Sequence, residues 1–406
     1  MPARIRLGRL LLGWLLVALI GACAGPSQAT PGLPSSGVPS ASVRSTAAPE
    51  SPSGGAGASP SVGAGSSQSP EPGSSPSLAP PASISGPAYD NPVFRSDFPD
   101  PHIIVADGKY YAYSTNSAGQ NVPIISSDDL ATWQRERDAL PILPSWTGLN
   151  FGTRWAPGVI QIDDTFVLYY VACDANFKSP GYTGQVCVLP VDRVDRQCIG
   201  IAIADNPLGP FTDESDEPFI CQYEMGGSID AYPFRDADGQ LYLYWKSDGN
   251  CCGLPVSLWV QRLADDGMTL TGEPVELIAR DQVWEIPLIE NPAMVEWNGS
   301  YYLFYSANRW DTIEYAVGYA VCESALGPCE KPQDGPIYRY TQQVFGPGGQ
   351  AFFNDADGDL MMVYHAWQAP LVGYPRGQRM MQIDPVTFED GVPVITGPTT
   401  DPQPLT

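Results

Sequence analysis

The sequence predicts an all-β protein, a five-bladed β-propeller that follows a disordered tether rich in Pro, Ser, Gly and Ala. Two patterns support this prediction. A polar turn followed by alternating aromatic and aliphatic residues recurs five times, and helical periodicity is hard to find after residue 87. A large β-sandwich would also give regularly spaced hairpins. We favour the propeller because the five hairpins resemble one another and each has a matching strand upstream.

Residues 1–22 are predicted to be a signal peptide. Three arginines precede a short apolar core at 10–20, which is too short for a comfortable transmembrane helix. The following "IGAC" resembles a bacterial lipobox, so Cys23 is the expected lipid-bearing residue. The alternative is ordinary signal-peptidase cleavage after Ala22 or Ala24. Either outcome predicts an exported protein, and lipidation predicts a cell-surface lipoprotein attached to the membrane through Cys23.

The next segment, 23–86, is predicted to be a lipid-anchored, low-complexity linker. Its residues are nearly all Pro, Ser, Gly, Ala and Thr, and such a segment cannot bury enough apolar surface to fold. A flexible chain of roughly 60 residues spans about 40–45 Å on average. We therefore expect a tether that holds the propeller domain, residues 87–406, away from a membrane.

The charge of the chain argues against polyanionic ligands. The formal net charge is −24, and lysines are rare. Nucleic-acid binding needs clustered lysine and arginine residues, so no nucleic-acid partner is expected. A neutral partner is more compatible with this charge, although acidity alone can simply support solubility.

The cysteine count predicts disulfides. Eight cysteines follow Cys23, and an even number in an exported protein is typical of a disulfide framework. Only one pair, Cys322–Cys329, is predicted, because a short loop joins the two residues. The chain has two histidines and no Cys-x-x-Cys pair, so no zinc site is expected.

The five repeats are read as the first two strands of five blades. Each second strand is expected to begin at a tight turn, in "DGKYYAYST", "DDTFVLYYVA", "DGQLYLYWKS", "NGSYYLFYSA" and "DGDLMMVYHAW". Each is preceded by a candidate innermost strand, in "PDPHIIVA", "WAPGVIQI", "IDAYPFRD", "IENPAMVEW" and "GPGGQAFFN". Since innermost strands line the central channel of a propeller, residues at their starts should converge on one end of its axis.

Three acidic residues open such strands, and we expect them to hold corresponding positions. They are Asp100, which lies between two prolines, Asp230 and Glu290. Glycosidic bond cleavage requires two carboxyl groups across a sugar, and a third can raise the pKa of the acid. The alternative for each residue alone is a polar group that caps a turn.

At these residues the sequence resembles glycoside hydrolase family 43, whose members are inverting five-bladed β-propeller enzymes. The resemblance covers essentially residues 90–390 and is carried by motifs in family order, Asp100-Pro101, Trp155-Ala156-Pro157, Ile229-Asp230-Ala231, Glu290-Asn291-Pro292 and Gly346-Pro347-Gly348-Gly349. It implies that Asp100 is the general base, Glu290 the general acid and Asp230 the residue that orients the acid and tunes its pKa. Inversion predicts about 6.5–9.5 Å between the carboxyl groups of base and acid.

Two departures from the family pattern concern Asn291, where alanine is usual, and Gly349, where many members have histidine. That histidine often binds a central calcium ion or its waters, or lies close to the substrate. Gln350 is a candidate to replace it in part as a ligand, and a structural calcium ion is left open. The proposed chemistry needs no metal or other cofactor.

Further candidate substrate-binding residues are Trp155, Phe234, Trp310, His365 and Arg379. A purely structural role is the alternative for each, and for Phe234 it is the preferred one. The expected activity is that of an α-L-arabinofuranosidase or arabinanase, with β-xylosidase as the nearest alternative. A catalytically silent carbohydrate-binding propeller is the alternative from another class. The sequence leaves the oligomeric state open.

Overall fold

The computed structural model describes residues 88–148, 154–178, 187 and 195–405. Two short strands come first, β1 (Ala88–Tyr89) and β2 (Phe94–Asp97). Blade one follows with β3 (His102–Ala106), β4 (Lys109–Tyr113), β5 (Ile124–Ser127) and β6 (Gln134–Arg135). Blade two has β7 (Trp155–Ile162), β8 (Thr165–Cys173) and β9 (Gln197–Ala204).

Three further sheets complete the ring. Blade three has β10 (Ser228–Arg235), β11 (Leu241–Ser247), β12 (Ser257–Leu263) and β13 (Leu270–Ala279). Blade four has β14 (Ile289–Trp297), β15 (Ser300–Ala307), β16 (Ala316–Cys322) and β17 (Cys329–Glu330). Blade five has β18 (Val344–Asn354), β19 (Leu360–Gln368) and β20 (Met380–Glu389), with β21 (Val392–Ile395) paired to β20.

The first strands of the blades contact one another in the cyclic order β3, β7, β10, β14, β18 and again β3. The predicted five-bladed propeller is therefore confirmed, and the sandwich alternative is set aside. The N-terminal segment closes the ring, because β2 pairs with β20 as the outer strand of blade five. Strand β1 pairs with β22 (Gln403–Pro404) near the other terminus.

Local sequence explains why each blade begins with a hairpin. The turns between the first two strands of blades one and four are Asp107-Gly108 and Asn298-Gly299, and all four residues have positive φ. A tight hairpin turn requires such angles, which Asn, Asp and Gly adopt most readily. In the second strands of blades two to five nearly every side chain is buried, because each of these strands packs between two neighbouring blades.

All eight cysteines after Cys23 are paired, and the predicted Cys322–Cys329 disulfide is present. The other three pairs are Cys173–Cys187, Cys198–Cys221 and Cys251–Cys252. The helices among the described residues are three single 3₁₀ turns, Tyr223–Met225, Gly249–Cys251 and Val283–Glu285. Each is too short to cross a membrane.

Candidate active site

A ring of five residues with left-handed backbone lies where the innermost strands converge. These residues are Asp100, Ala156, Asp230, Asn291 and Gly349, with φ between 34° and 61°. They line one end of the channel together, one from each blade. In blades two to five a β-bulge accompanies the residue. A bulge re-aims side chains at a strand end, and here it turns the ring residues toward a common axis.

Strand register shows that the ring positions are structurally equivalent. Two residues after each ring residue the innermost strand pairs with its neighbour, at His102–Tyr113, Gly158–Tyr169, Tyr232–Tyr244, Ala293–Phe304 and Ala351–Val363. Asp100 and Asp230 therefore hold corresponding positions, as expected. Glu290 does not, because Asn291 occupies the ring position of blade four. The expectation that all three acids correspond is wrong by one residue for Glu290.

The second strands supply side chains that support this ring. Each second strand has a residue two positions after the one that pairs with the innermost strand. In blades one to five these residues are Thr115, Val171, Lys246, Ser306 and His365. Four of these five are polar, and all four contact the ring or Glu290. The propeller thus repeats a supporting position as well as a lining position.

Asp100 is held by three side chains. Thr115 donates its hydroxyl to Oδ2 at 2.6 Å, and Arg379 Nη1 lies 3.4 Å from both carboxylate oxygens. The backbone N–H of Asp100 donates to His365 Nδ1 at 3.1 Å. Burial opposes a charge on Asp100, but its charged and hydrogen-bonding neighbours, the Arg379 guanidinium first among them, outweigh burial and hold the pKa of Asp100 below its usual range. Asp100 is therefore ionised at neutral pH.

The imidazole that supports Asp100 is fully buried. Burial lowers the pKa of His365, so the ring is neutral at neutral pH and Nδ1 can accept the Asp100 N–H. Nδ1 also lies 3.2 Å from Asp100 Oδ1. Because the backbone group can only donate, we assign the acceptor role to Nδ1. His365 consequently positions Asp100 and does not line the cavity.

Glu290 lies between a cation and a phenol. Lys246 Nζ is 3.0 Å from Oε2, and Tyr315 donates its hydroxyl to Oε1 at 2.8 Å. Tyr315 Oη is also 3.1 Å from Asn291 Oδ1. Lys246 contacts a second carboxylate, with 3.7 Å to Asp248 Oδ1. This side of the site thus has one buried ammonium group among several carboxyl groups.

Asp230 has few compensating contacts. Its Oδ2 accepts the backbone N–H of Asn291 at 3.0 Å. Burial and the neighbouring Glu290 carboxylate raise the pKa of Asp230 to about 8, against the opposing charge of Lys246. Asp230 therefore retains its proton near neutral pH. The site thus combines an ionised carboxylate, Asp100, with a protonated carboxyl group, Asp230, beside Glu290.

A cavity of about 550 Å³ joins these groups. Its lining includes the three acids, Lys246, Asp248, and three of the five predicted substrate-binding residues, Trp155, Trp310 and Arg379. The Arg379 guanidinium carbon lies 4.5 Å from the centre of the Trp310 ring, a cation–π contact that orients both side chains. This volume is within the range of small-molecule sites, and it is bordered by both carboxyl centres.

Comparison with known proteins identifies the family. The family model described as "Glycosyl hydrolases family 43" matches residues 89–393. The chain belongs to glycosyl hydrolase family 43. A crystal structure of a thermostable family-43 glycoside hydrolase shares 30% identity, with a TM-score of 0.66, over 78% of this chain and 98% of that one. The ring and cavity described above are thus those of a glycosidase family.

Two curated relatives have narrower names. A β-D-galactofuranosidase of Aspergillus niger is 26% identical over 68% of this chain and 75% of its own length. An arabinoxylan arabinofuranohydrolase of Paenibacillus polymyxa is 25% identical over 72% of this chain. The match spans about half, 49%, of the Paenibacillus protein.

Phe234 lies away from the family-43 cavity. It is four residues past Asp230 on β10, and its ring packs against Tyr242 and Tyr244, with ring centroids 6.4 and 6.2 Å apart. It is part of the apolar cluster between blades. The preferred structural role therefore agrees with its position, and the substrate-binding role does not.

Space explains the departure from the family pattern at Gly349. A β-carbon there would lie 2.5 Å from His365 Nδ1 and 2.6 Å from Asp100 Oδ1. His365, from the adjacent strand, thus occupies the volume that a histidine at position 349 would need. The only other residue suggested for calcium, Gln350, accepts from Ser306 through Oε1 and donates to the Asn291 carbonyl through Nε2. As placed, these residues do not fit a calcium site.

Several residues at the site were not predicted from the sequence: Thr115, Lys246, Asp248, Tyr315 and Tyr374. Two of them carried a usable signal. Thr115 follows Asp107 by eight residues, as Lys246 follows Asp238, Ser306 follows Asn298 and His365 follows Asp357. Aligning the repeats on their turns would have singled out this position. Tyr315 and Tyr374 lie outside the repeated hairpins, where no repeat could reveal them.

Proposed function

We propose that this family-43 chain hydrolyses α-L-arabinofuranosyl linkages in a neutral polysaccharide or oligosaccharide, with inversion at the anomeric carbon. The observation that carries the proposal is the convergence of Asp100 and the Asp230–Glu290 pair on one cavity, with opposite protonation preferences. An inverting glycosidase needs one ionised base and one protonated acid.

In this mechanism Asp100 is the general base. It takes a proton from a water molecule, whose oxygen forms the new bond to the anomeric carbon. Thr115 and Arg379 hold the carboxylate, and the neutral His365 holds the backbone N–H of the same residue. Such positioning orients the attacking water and contributes much of the rate enhancement.

Glu290 is the general acid, which gives its proton to the departing glycosidic oxygen as the carbon–oxygen bond breaks. Glu290 directly precedes a ring residue in sequence, as do Ile229 and Trp155. All three line the 550 Å³ cavity. Asp230 lies in the ring itself and is the partner that shares the proton. We propose that a bound sugar, which excludes water from the cavity, shifts this proton from Asp230 to Glu290.

The arabinofuranosyl assignment is supported by the names of the curated relatives, which refer to furanosides of galactose and arabinose. The test is hydrolysis of nitrophenyl α-L-arabinofuranoside against nitrophenyl β-D-xyloside, with Glu290→Gln as the blank. Faster turnover of the arabinoside, absent in the blank, supports the assignment. Faster turnover of the xyloside would favour the β-xylosidase alternative. No hydrolysis of these compounds or of arabinan would favour the silent binding module.

Inversion has its own test. The first sugar released from an α-linked substrate should be the β-anomer, visible by proton NMR before mutarotation. Release of the α-anomer would contradict the roles given to Asp100 and Glu290.

We also propose that the protein is exported and attached to a membrane through a lipid on Cys23. The predicted signal peptide, Cys23 and the 23–86 linker lie outside the described residues. Four disulfides among the described cysteines support export, because such bonds persist in oxidising compartments. Incorporation of labelled fatty acid, lost in Cys23→Ser, would test the anchor.

A further inference from the structure

A pair of adjacent cysteines lies in the wall of the active-site cavity. Cys251 and Cys252 are joined by a disulfide between neighbours in sequence. Cys251 and Asn250 both line the cavity that contains the three acids. The pair is separate from the catalytic groups, and none of the roles above uses it.

The disulfide lies on the Glu290 side of the cavity. Its single helical turn, Gly249–Cys251, follows directly on Asp248. Asp248 contacts Lys246 at 3.7 Å, and Lys246 contacts Glu290 at 3.0 Å. The other side is formed around Asp100, where Arg379, Trp310 and Tyr374 pack together. Since the acid protonates the leaving oxygen, residues grouped with Glu290 face the leaving group.

The segment that carries the disulfide is held closely by its surroundings. Arg196 Nη1 donates to Cys252 Sγ at 3.4 Å, and Cys251 Sγ lies 3.5 Å from the Gly226 carbonyl oxygen. Backbone bonds to the Gly249 carbonyl come from Cys252 and Leu254, at 3.0 and 2.8 Å. A β-carbon at Gly249 would lie 2.0 Å from the Pro255 carbonyl oxygen. This close packing leaves the turn little freedom to move.

We propose that the Cys251–Cys252 disulfide is a preorganised wall that binds the sugar on the leaving-group side of the scissile bond. The inference rests on the proposed function. A bond between adjacent residues closes a small ring and removes backbone freedom before substrate binds, which lowers the entropy cost of binding. Sulfur is soft and polarizable and suits the C–H face of a sugar. Asn250, on the same turn, has an amide that can form hydrogen bonds with the hydroxyl groups of the sugar.

The test uses the full-length chain with Cys251→Ser/Cys252→Ser, and Cys322→Ser/Cys329→Ser as the matched control. The control removes a disulfide between β16 and β17, at the outer edge of blade four. Two substrates are compared. In an arabino-oligosaccharide the leaving group is a sugar, whereas in arabinofuranosyl fluoride it is a single atom that cannot reach the wall.

The expected result is an increase of about tenfold in KM for the oligosaccharide, while kcat/KM for the fluoride stays within about twofold of the parent. The control should change neither value by more than about twofold. Equal losses on both substrates, or no change on the oligosaccharide, would overturn the proposal. If the parent hydrolyses neither substrate, the proposed function fails instead, and the two failures are distinguishable.

A second variant tests the proposal even if the Cys251→Ser/Cys252→Ser protein folds poorly. Asn250→Trp keeps the disulfide and fills the same wall from an exposed position. It should raise KM for the oligosaccharide by a larger factor than it changes kcat/KM for the fluoride. An unchanged KM for the oligosaccharide in this variant would also overturn the proposal.

Discussion

Lys246 and Glu290 form a buried ion pair in the cavity wall, with 3.0 Å between Nζ and Oε2 and side chains 1% and 10% exposed. Asp248 extends the pair at 3.7 Å from the same ammonium. Burial opposes the charge on Lys246, but the neighbouring carboxylates outweigh it and raise its pKa. The ammonium therefore stays charged and offsets part of the negative charge that the proposed acid and its neighbours share.

Lys246→Met should destabilise the fold and slow catalysis. Breaking a buried ion pair from one side costs about 3–5 kcal/mol, and kcat should fall about 10²-fold as the proton balance of the acid changes. Burial raises the pKa of Asp248 to about 6, with Lys246 opposing the rise. Without the ammonium Asp248 takes up a proton more readily, so the stability loss should be smaller at pH 5 than at pH 8. Urea unfolding and kcat are the measurements.

Lys331→Met is the matched control for that variant. Lys331 also pairs with a buried carboxylate, at 2.7 Å from Glu285 Oε1, but neither residue lines the cavity. It should lose stability and keep kcat within about twofold of the parent. An equal loss of kcat in both variants would mean that Lys246 acts only through stability.

Arg379→Gln should shift the pH dependence of kcat/KM. Arg379 is the main group that holds the pKa of Asp100 low against the effect of burial. Without it burial dominates, the pKa of Asp100 rises, and the base becomes protonated at mildly acidic pH. The acidic limb of the profile should therefore move to higher pH, with a loss of about 10²-fold below that limb. An unmoved limb would argue against Asp100 as the base.

Gly349→Ala should impair catalysis by displacing Asp100. The added carbon would lie 2.6 Å from Asp100 Oδ1 at a backbone angle of φ +61°. A displacement of about 1 Å in a catalytic group costs about 10²-fold in rate. Gly108→Ala is the matched control, because it has φ +72° and open space around its β-carbon. It should lose about 1–3 kcal/mol of stability from strain alone and keep its kcat/KM.

Asp230→Asn should make the fold less sensitive to alkaline pH. The raised pKa of Asp230, about 8, means that folding favours its protonated form. That contribution is complete below the unfolded-state pKa, about 4, and is lost as pH rises through about 8. At pH 8 the variant should melt about 2–4 °C above the parent, with no difference near pH 4. A lower melting temperature at pH 8 would contradict the buried, protonated state.

Much of the architecture was readable because the turns and strands repeat. Asp-Gly and Asn-Gly turns ahead of alternating apolar residues marked four of the five hairpins, an Asp-Asp turn marked the other, and the six-residue loop between Cys322 and Cys329 marked a disulfide. The three acids followed from that repeat and from family resemblance. Each of these features is local, so a short stretch of sequence contains it.

The rest depends on contacts that sequence spacing does not show. The register of β14 on β15 places Asn291 in the ring and Glu290 one residue before it, which the spacing of the acidic motifs does not reveal. Arg379 and Trp310 come from different segments and meet only in the folded cavity. The four disulfides that include Cys251–Cys252 are one of the 105 connectivities that eight cysteines allow.

The most direct test of the assigned roles compares Glu290→Gln with Asp100→Asn on two arabinofuranosides that differ in leaving group. Dinitrophenolate departs without a proton, whereas a sugar needs one. Glu290→Gln should keep most of its activity on the dinitrophenyl substrate and lose about 10²–10⁴-fold on an arabino-oligosaccharide. Asp100→Asn should lose comparable activity on both. If Glu290→Gln is equally impaired on both substrates, or Asp100→Asn hydrolyses as fast as the parent, the assignment of acid and base is wrong.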